Sequence, residues 1–151
     1  MCFGTDHDAI EIWSPTEQLI ELGKKTENYN HSSYVLSIVH GDCRIVLGGD
    51  ATEEAWEDIL RHHGGALPKT NLLKAAHHGR ESGYHPASVR SMNPDHVIVS
   101  VGKIPETDAS NKYRSNPTSK VFTTRRQGTI SASCYRDGRV ILRNVSGEII
   151  S

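Results

Sequence analysis

The sequence predicts an α/β fold built as a mixed sheet flanked by helices. Three observations carry that reading: short β-branched runs alternate with amphipathic helical patterns, two of the runs are joined by a Gly-Asp turn, and a later run is apolar almost throughout. A chain of 151 residues with 36% hydrophobic and 23% charged residues forms one domain with a core of ordinary size.

The elements follow in order. Ala9-Ile-Glu-Ile-Trp13 alternates as a half-buried strand does, and Ser14, Pro15 and Glu17 then supply an N-cap, a first helical position and an N3 carboxylate for a helix to about Lys24. Ser33–Val39 and Cys43–Leu47 flank Gly41-Asp42 and predict a hairpin. Ala51–His63 reads as the best helix, with Ala55, Trp56, Ile59 and Leu60 on one face and Gly64-Gly65 as its stop. Asn71–Ala76 is a strand, Pro86–Met92 a short helix, and His96–Val101 a strand buried on both faces. Pro105–Asn116 is polar and is expected to be a long loop. Thr129–Tyr135 and Arg139–Arg143 close the chain as a hairpin around Asp137-Gly138.

Composition narrows the function classes. A net charge of -1 gives no global attraction to nucleic acid or anionic membrane, and no apolar run is long enough to span a bilayer. With no signal-peptide pattern in MCFGTDHDAI, the expectation is a cytoplasmic protein without a membrane segment. Cys2, Cys43 and Cys134 have no metal or disulfide spacing and read as buried or free thiols. Nine histidines are the unusual feature.

Two strands end in residues suited to metal chemistry. Asp50 follows Gly48-Gly49, and His77-His78-Gly79 ends the next strand, so adjacent strands can deliver a carboxylate and imidazoles to one edge of a sheet. Those groups are ligands for zinc or manganese. An alternative without metal stays open, because Asp50-Ala-Thr-Glu53 also reads as a capping box and histidine is tolerated at strand ends. His62 and His63 fall in the last turn of a helix and read as structural caps, whereas His7, His31, His40 and His96 read as surface groups. His85 shares the loop of the histidine pair and is a candidate for contact with substrate, as is Arg80. Lys112, Arg114, Lys120, Arg125 and Arg126 form a basic stretch that suits a phosphate-containing substrate or nucleic acid, or simply a solvated face.

Five motifs in order resemble the C-terminal half of a metallo-β-lactamase-fold domain: Asn30–Leu36, Arg44–Asp50, Leu73–Gly79, His96–Gly102 and Gln127–Ile130. The nearest likeness is to the ComEC-type competence-protein domains and their stand-alone hydrolase cousins, over about Ile10 to Leu142. The resemblance implies half of an αββα sandwich, with Asp50 as the metal-bridging aspartate, His78 as the last histidine ligand, and His77 beside them. It implies zinc, or manganese, as a two-metal centre that lowers the pKa of water and stabilises charge on a phosphodiester or related ester. Departures accompany it. The family's His-x-His-x-Asp-His run occurs nowhere in the chain, and Thr5-Asp-His-Asp8 lacks the spacing. Arg80 stands where a serine is usual, and Asn116-Pro117 where a His-Pro pair is usual, which makes Asn116 a candidate substrate contact, and beside the family the helix expected over Pro117–Phe122 looks abbreviated. The expectation is therefore a partial domain that needs an N-terminal half or self-association and holds metal weakly by itself. The alternatives are a non-catalytic binding or assembly module and a basic-patch nucleic-acid binder.

Overall fold

The computed structural model describes residues 2–4, 7–102 and 107–151. Its centre is a seven-stranded mixed sheet whose strands lie in chain order. Strands β1 (Cys2–Gly4), β2 (Asp8–Ser14), β3 (Val35–His40) and β4 (Cys43–Leu47) form an antiparallel meander. β5 (Leu72–Lys74), β6 (His96–Val99) and β7 (Lys120–Thr123) then continue from β4 in parallel. Parallel neighbours need crossovers, and helices α2 (Glu53–His62), α3 (Pro86–Met92) and α4 (Ser110–Arg114) supply them. Helix α1 (Glu17–Thr26) links β2 to β3, and the single turn α5 (Thr124–Gln127) leads into a separate hairpin, β8 (Ser131–Cys134) and β9 (Val140–Arg143).

Register divides the side chains between two faces. Val46, Leu73 and Val97 are aligned across β4, β5 and β6, and they pack with Leu19, Trp56, Ile59, Val89, Met92 and Tyr113 of the helices into the main core. The opposite face carries the aligned series Ile10, Ile38, Ile45 and Leu72. Leu72 and Ile98 are covered there by Leu142, Ile130 and Val140 of the hairpin region. Toward β1 and β2 the cover stops, leaving Phe3 at 55% and Ile10 at 46% exposure. The layers are thus helices, sheet and a narrow second β layer over part of the far face.

Several expectations shift for physical reasons. Ser14 pairs with Val35 as the last residue of β2, so its backbone is extended and Thr16 caps α1 instead, accepting from the Leu19 amide at 3.4 Å. Helix α2 starts at Glu53 with Thr52 as N-cap, which removes the capping role from Asp50. The polar segment after residue 107 is not all loop: Asp108 accepts from the Ser110 amide at 2.8 Å, and α4 buries Tyr113 in the main core. Residues 103–106 lie outside the described residues. The helix expected over 117–122 is instead β7, because Val121 and Phe122 pair with Val97 and Ile98 of β6. His31 is buried rather than at the surface, with Nδ1 2.9 Å from the Thr52 hydroxyl. His96 is half-buried and stacks on Phe122.

The reading of Cys43 and Cys134 as buried or free thiols agrees with the structure, and the Cys2 side chain lies outside the described residues. Cys43 and Cys134 are free, and burial, followed by the neighbouring Cys134 thiol, pushes the Cys43 thiol up to about 12. A thiol so protonated is neither nucleophile nor metal ligand at neutral pH.

Candidate functional site at the carboxyl ends of β4 and β5

Gly48, Gly49 and Asp50 leave the carboxyl end of β4, and Ala75 to Gly79 leave that of β5. Backbone bonds join the two exits: Gly48 N–H donates to the Lys74 carbonyl at 3.0 Å, and His77 N–H to the Gly49 carbonyl at 2.8 Å. The Asp50 amide is held by the Ser33 hydroxyl at 2.8 Å. His77, His78 and Gly79 have consecutive positive φ angles of 46°, 58° and 80°, so the chain turns sharply and His78 faces back toward β4. At position 79 the conformation requires glycine, because a Cβ would meet Val99 Cγ1 at 2.2 Å. The result brings His78 Nε2 to 3.7 Å from Asp50 Oδ1, with the two side chains 63% and 46% exposed.

This pair borders a cleft of about 410 Å³ whose other walls are Ser33, Leu47, Gly49, Lys74 and Ser100. Lys74 is half-buried, and burial lowers its ammonium below the ordinary lysine value, with Asp50 opposing that shift. Carboxylate, imidazole, ammonium and two hydroxyls therefore converge where α/β sheets commonly hold ligands. Donors of this kind fit a zinc or manganese ion, and their 3.7 Å separation lets both reach one ion, though two donors fall short of a closed tetrahedral set.

The remaining sequence candidates lie elsewhere. His77 is turned to Ser82, whose hydroxyl is 2.8 Å from its Nδ1. Arg80 is exposed and bridges through its backbone to Asp108. Asn116 donates to Ser119 Oγ at 3.0 Å and closes a turn. His85 caps α3, its Nδ1 accepting from the Ser88 amide at 3.4 Å, and burial lowers its pKa against the pull of Glu53 and Glu57. Together with Glu53 and Glu57 it forms a second group of metal-capable atoms, all within 4.8 Å of one another. None of His77, Arg80, His85 and Asn116 lines the Asp50–His78 cleft. His62 and His63 end α2 as expected: His62 Nδ1 donates to the Asp58 carbonyl at 2.9 Å, and His63 packs edge-on against Trp13.

The basic stretch is partly neutralised, since Lys112 pairs with Glu81 at 2.9 Å and Arg125 with Asp108 at 3.2 Å. Lys74, Ser33 and Ser100 were not legible as site residues. The signal for Lys74 was a single cation within an otherwise apolar strand, Leu72-Leu-Lys-Ala-Ala76.

A scan against protein-family models finds no match, and no curated protein matches the sequence. No helix among the described residues is long and apolar enough to cross a membrane.

Proposed function

We propose that this chain is the C-terminal half of a metal-dependent hydrolase domain of the metallo-β-lactamase type, acting on a phosphodiester or related ester. The observation that carries the reading is the meeting of Asp50 and His78 at the carboxyl edge of the sheet, 3.7 Å apart. Asp50 lies outside the N-cap position of α2, which Thr52 holds, and its carboxylate is available to a cation. Zinc or manganese would be held by Asp50 and His78 together with donors from a complementary half bearing His-x-His-x-Asp-His, and when bound it would supply Lewis-acid stabilisation of charge on the scissile group.

The chain's own residues have distinct parts in this. Gly49 and Gly79 set the exits so that Asp50 and His78 meet, and the Ser33 hydroxyl fixes the Asp50 backbone. Ser82 orients His77 away from the pair. The partly covered far face supports the same reading, because β8 and β9 begin a second β layer that stops short of Ile10 and Phe3. A complementary half would extend that layer and shield those side chains from water.

The test is reconstitution. Co-expression with, or fusion to, a half-domain carrying the missing ligand run should give a folded complex that retains zinc or manganese and hydrolyses a nitrophenyl phosphodiester. A folded complex with neither metal nor turnover would reject the hydrolase reading. It would favour the second one, a binding or assembly module that uses the bare face around Phe3 and Ile10.

A further inference from the structure

Lys74 occupies an unusual position for a lysine. It ends β5 on the far face of the sheet, aligned with Leu47 of β4 and Ile98 of β6. It belongs at once to the polar cleft with Asp50 and His78 and to an adjoining apolar cleft of about 520 Å³ lined by Ile45, Leu72, Ile98 and Ile130. The ammonium donates to the Ala75 carbonyl at 3.0 Å, and among the described residues no carboxylate lies within ion-pairing distance of it. An ammonium drawn out of water beside apolar walls, with Asp50 of the same cleft attracting it but forming no ion pair, is incompletely compensated, and an anion in the cleft would relieve it.

The neighbouring groups fit that anion. Ser33 Oγ accepts from the Asp50 amide, so its own proton is free to be donated, and Ser100 brings a second hydroxyl to the same walls. An ammonium and two hydroxyls match a tetrahedral oxyanion with several acceptor oxygens better than they match a planar carboxylate. We propose that Lys74 is the residue that seats a phosphoryl group in this cleft, with Ser33 and Ser100 donating to its remaining oxygens. Lys74 is thereby a positioning residue for the hydrolysis proposed above, and the inference rests on that reading for the identity of the substrate. The candidates Arg80 and Asn116 do not serve this role, because neither borders the cleft.

The experiment has two arms. In the first, the 151-residue chain is titrated with inorganic phosphate in the absence of metal and followed by amide NMR, with acetate as the planar comparison. Phosphate should move the amides of Ser33, Lys74 and Ser100, and acetate should bind more weakly. Lys74→Met should weaken phosphate binding about tenfold or more, Lys74→Arg should keep most of it, and Lys25→Ala, an exposed charge on α1, should change nothing. Unmoved cleft amides at saturating phosphate, or equal affinity in folded Lys74→Met, would overturn the proposal, as would acetate binding as tightly as phosphate. In the second arm, Lys74→Met in the reconstituted domain should raise KM for the phosphodiester about tenfold with metal content unchanged. Full metal-dependent turnover with unaltered KM would remove Lys74 and leave the hydrolase standing. Phosphate binding through Lys74 with no turnover in the wild-type complex would do the reverse.

Discussion

Asp50 and His78 leave different strands, yet their side chains approach to 3.7 Å between Oδ1 and Nε2. A single parallel pairing, β4 with β5, produces this, because it sends both exits from the same edge. If that proximity serves metal chemistry, Asp50→Asn and His78→Ala should each abolish metal-dependent hydrolysis in the reconstituted domain, whereas His62→Ala at the end of α2 should retain it. In the isolated chain, Asp50→Ala should change unfolding free energy by less than about 0.5 kcal/mol, since Thr52, not Asp50, sits at the N-cap position of α2. Turnover of Asp50→Asn, His78→Ala and His62→Ala in the reconstituted domain checks the first statement, and urea unfolding of Asp50→Ala in the isolated chain checks the second.

The isolated chain should bind zinc weakly. Two donors at the sheet edge are too few for a closed site, so zinc should not survive dialysis. Should stoichiometric zinc remain, the group of Glu53, Glu57 and His85 is the place to look. His85→Ala would then release the metal and His78→Ala would not.

Backbone strain offers a third measurement. His77 and His78 hold φ of 46° and 58°, a region that costs a non-glycine residue about 1 kcal/mol or more. His77→Gly should therefore leave stability unchanged or raise it by roughly 1 kcal/mol, the relieved strain being offset in part by glycine's greater unfolded-state freedom. Gly79→Ala should go the other way and destabilise by about 2 kcal/mol or more, because it adds the clash with Val99 to a disfavoured φ. Thermal unfolding of the two variants separates these opposite signs.

Stability should also fall in mild acid. Burial depresses the His96 pKa below its ordinary 6.5, against a hydrogen bond to the Asn71 backbone that acts to raise it. The unfolded chain therefore binds more protons than the folded one as pH drops through about 6.5, and stability is lost from there downward. His63 and His85 are depressed by burial in the same direction. The urea midpoint should thus decline between neutral and mildly acidic pH, and His96→Gln should flatten that slope without removing it. A slope identical to wild type would mean that His96 does not contribute.

Elements with strong local signals were legible in the sequence. The Trp56 and Ile59 stripe marked α2, Gly41-Asp42 marked the β3–β4 turn, and Pro86 marked the start of α3. Helix α4 was missed because Ser110-Asn-Lys-Tyr-Arg114 has one apolar residue, too few to reveal a period, although Tyr113 is fully buried. Strand β7 was hidden in the same way, since Lys120-Val-Phe-Thr123 becomes a strand only through its pairing with β6. At the site, Asp50 and His78 stood out by residue type and by the glycines beside them. Lys74 and Ser100 did not, because only the register of β5 and β6 and the exit from β6 bring them to the same cleft.

Strand β4 is a seam, antiparallel to β3 on one side and parallel to β5 on the other. The β3–β4 hairpin before it closes through the tight Gly41-Asp42 turn, while the union with β5 waits for the whole crossover through α2, a larger loop with a greater entropic cost. Asp50 therefore belongs to the part of the chain that can order locally, and His78 to the part that orders only when the crossover docks. Any ligand that needs both residues recognises the finished crossover and not the meander alone, and its binding energy adds directly to the stability of that long-range join.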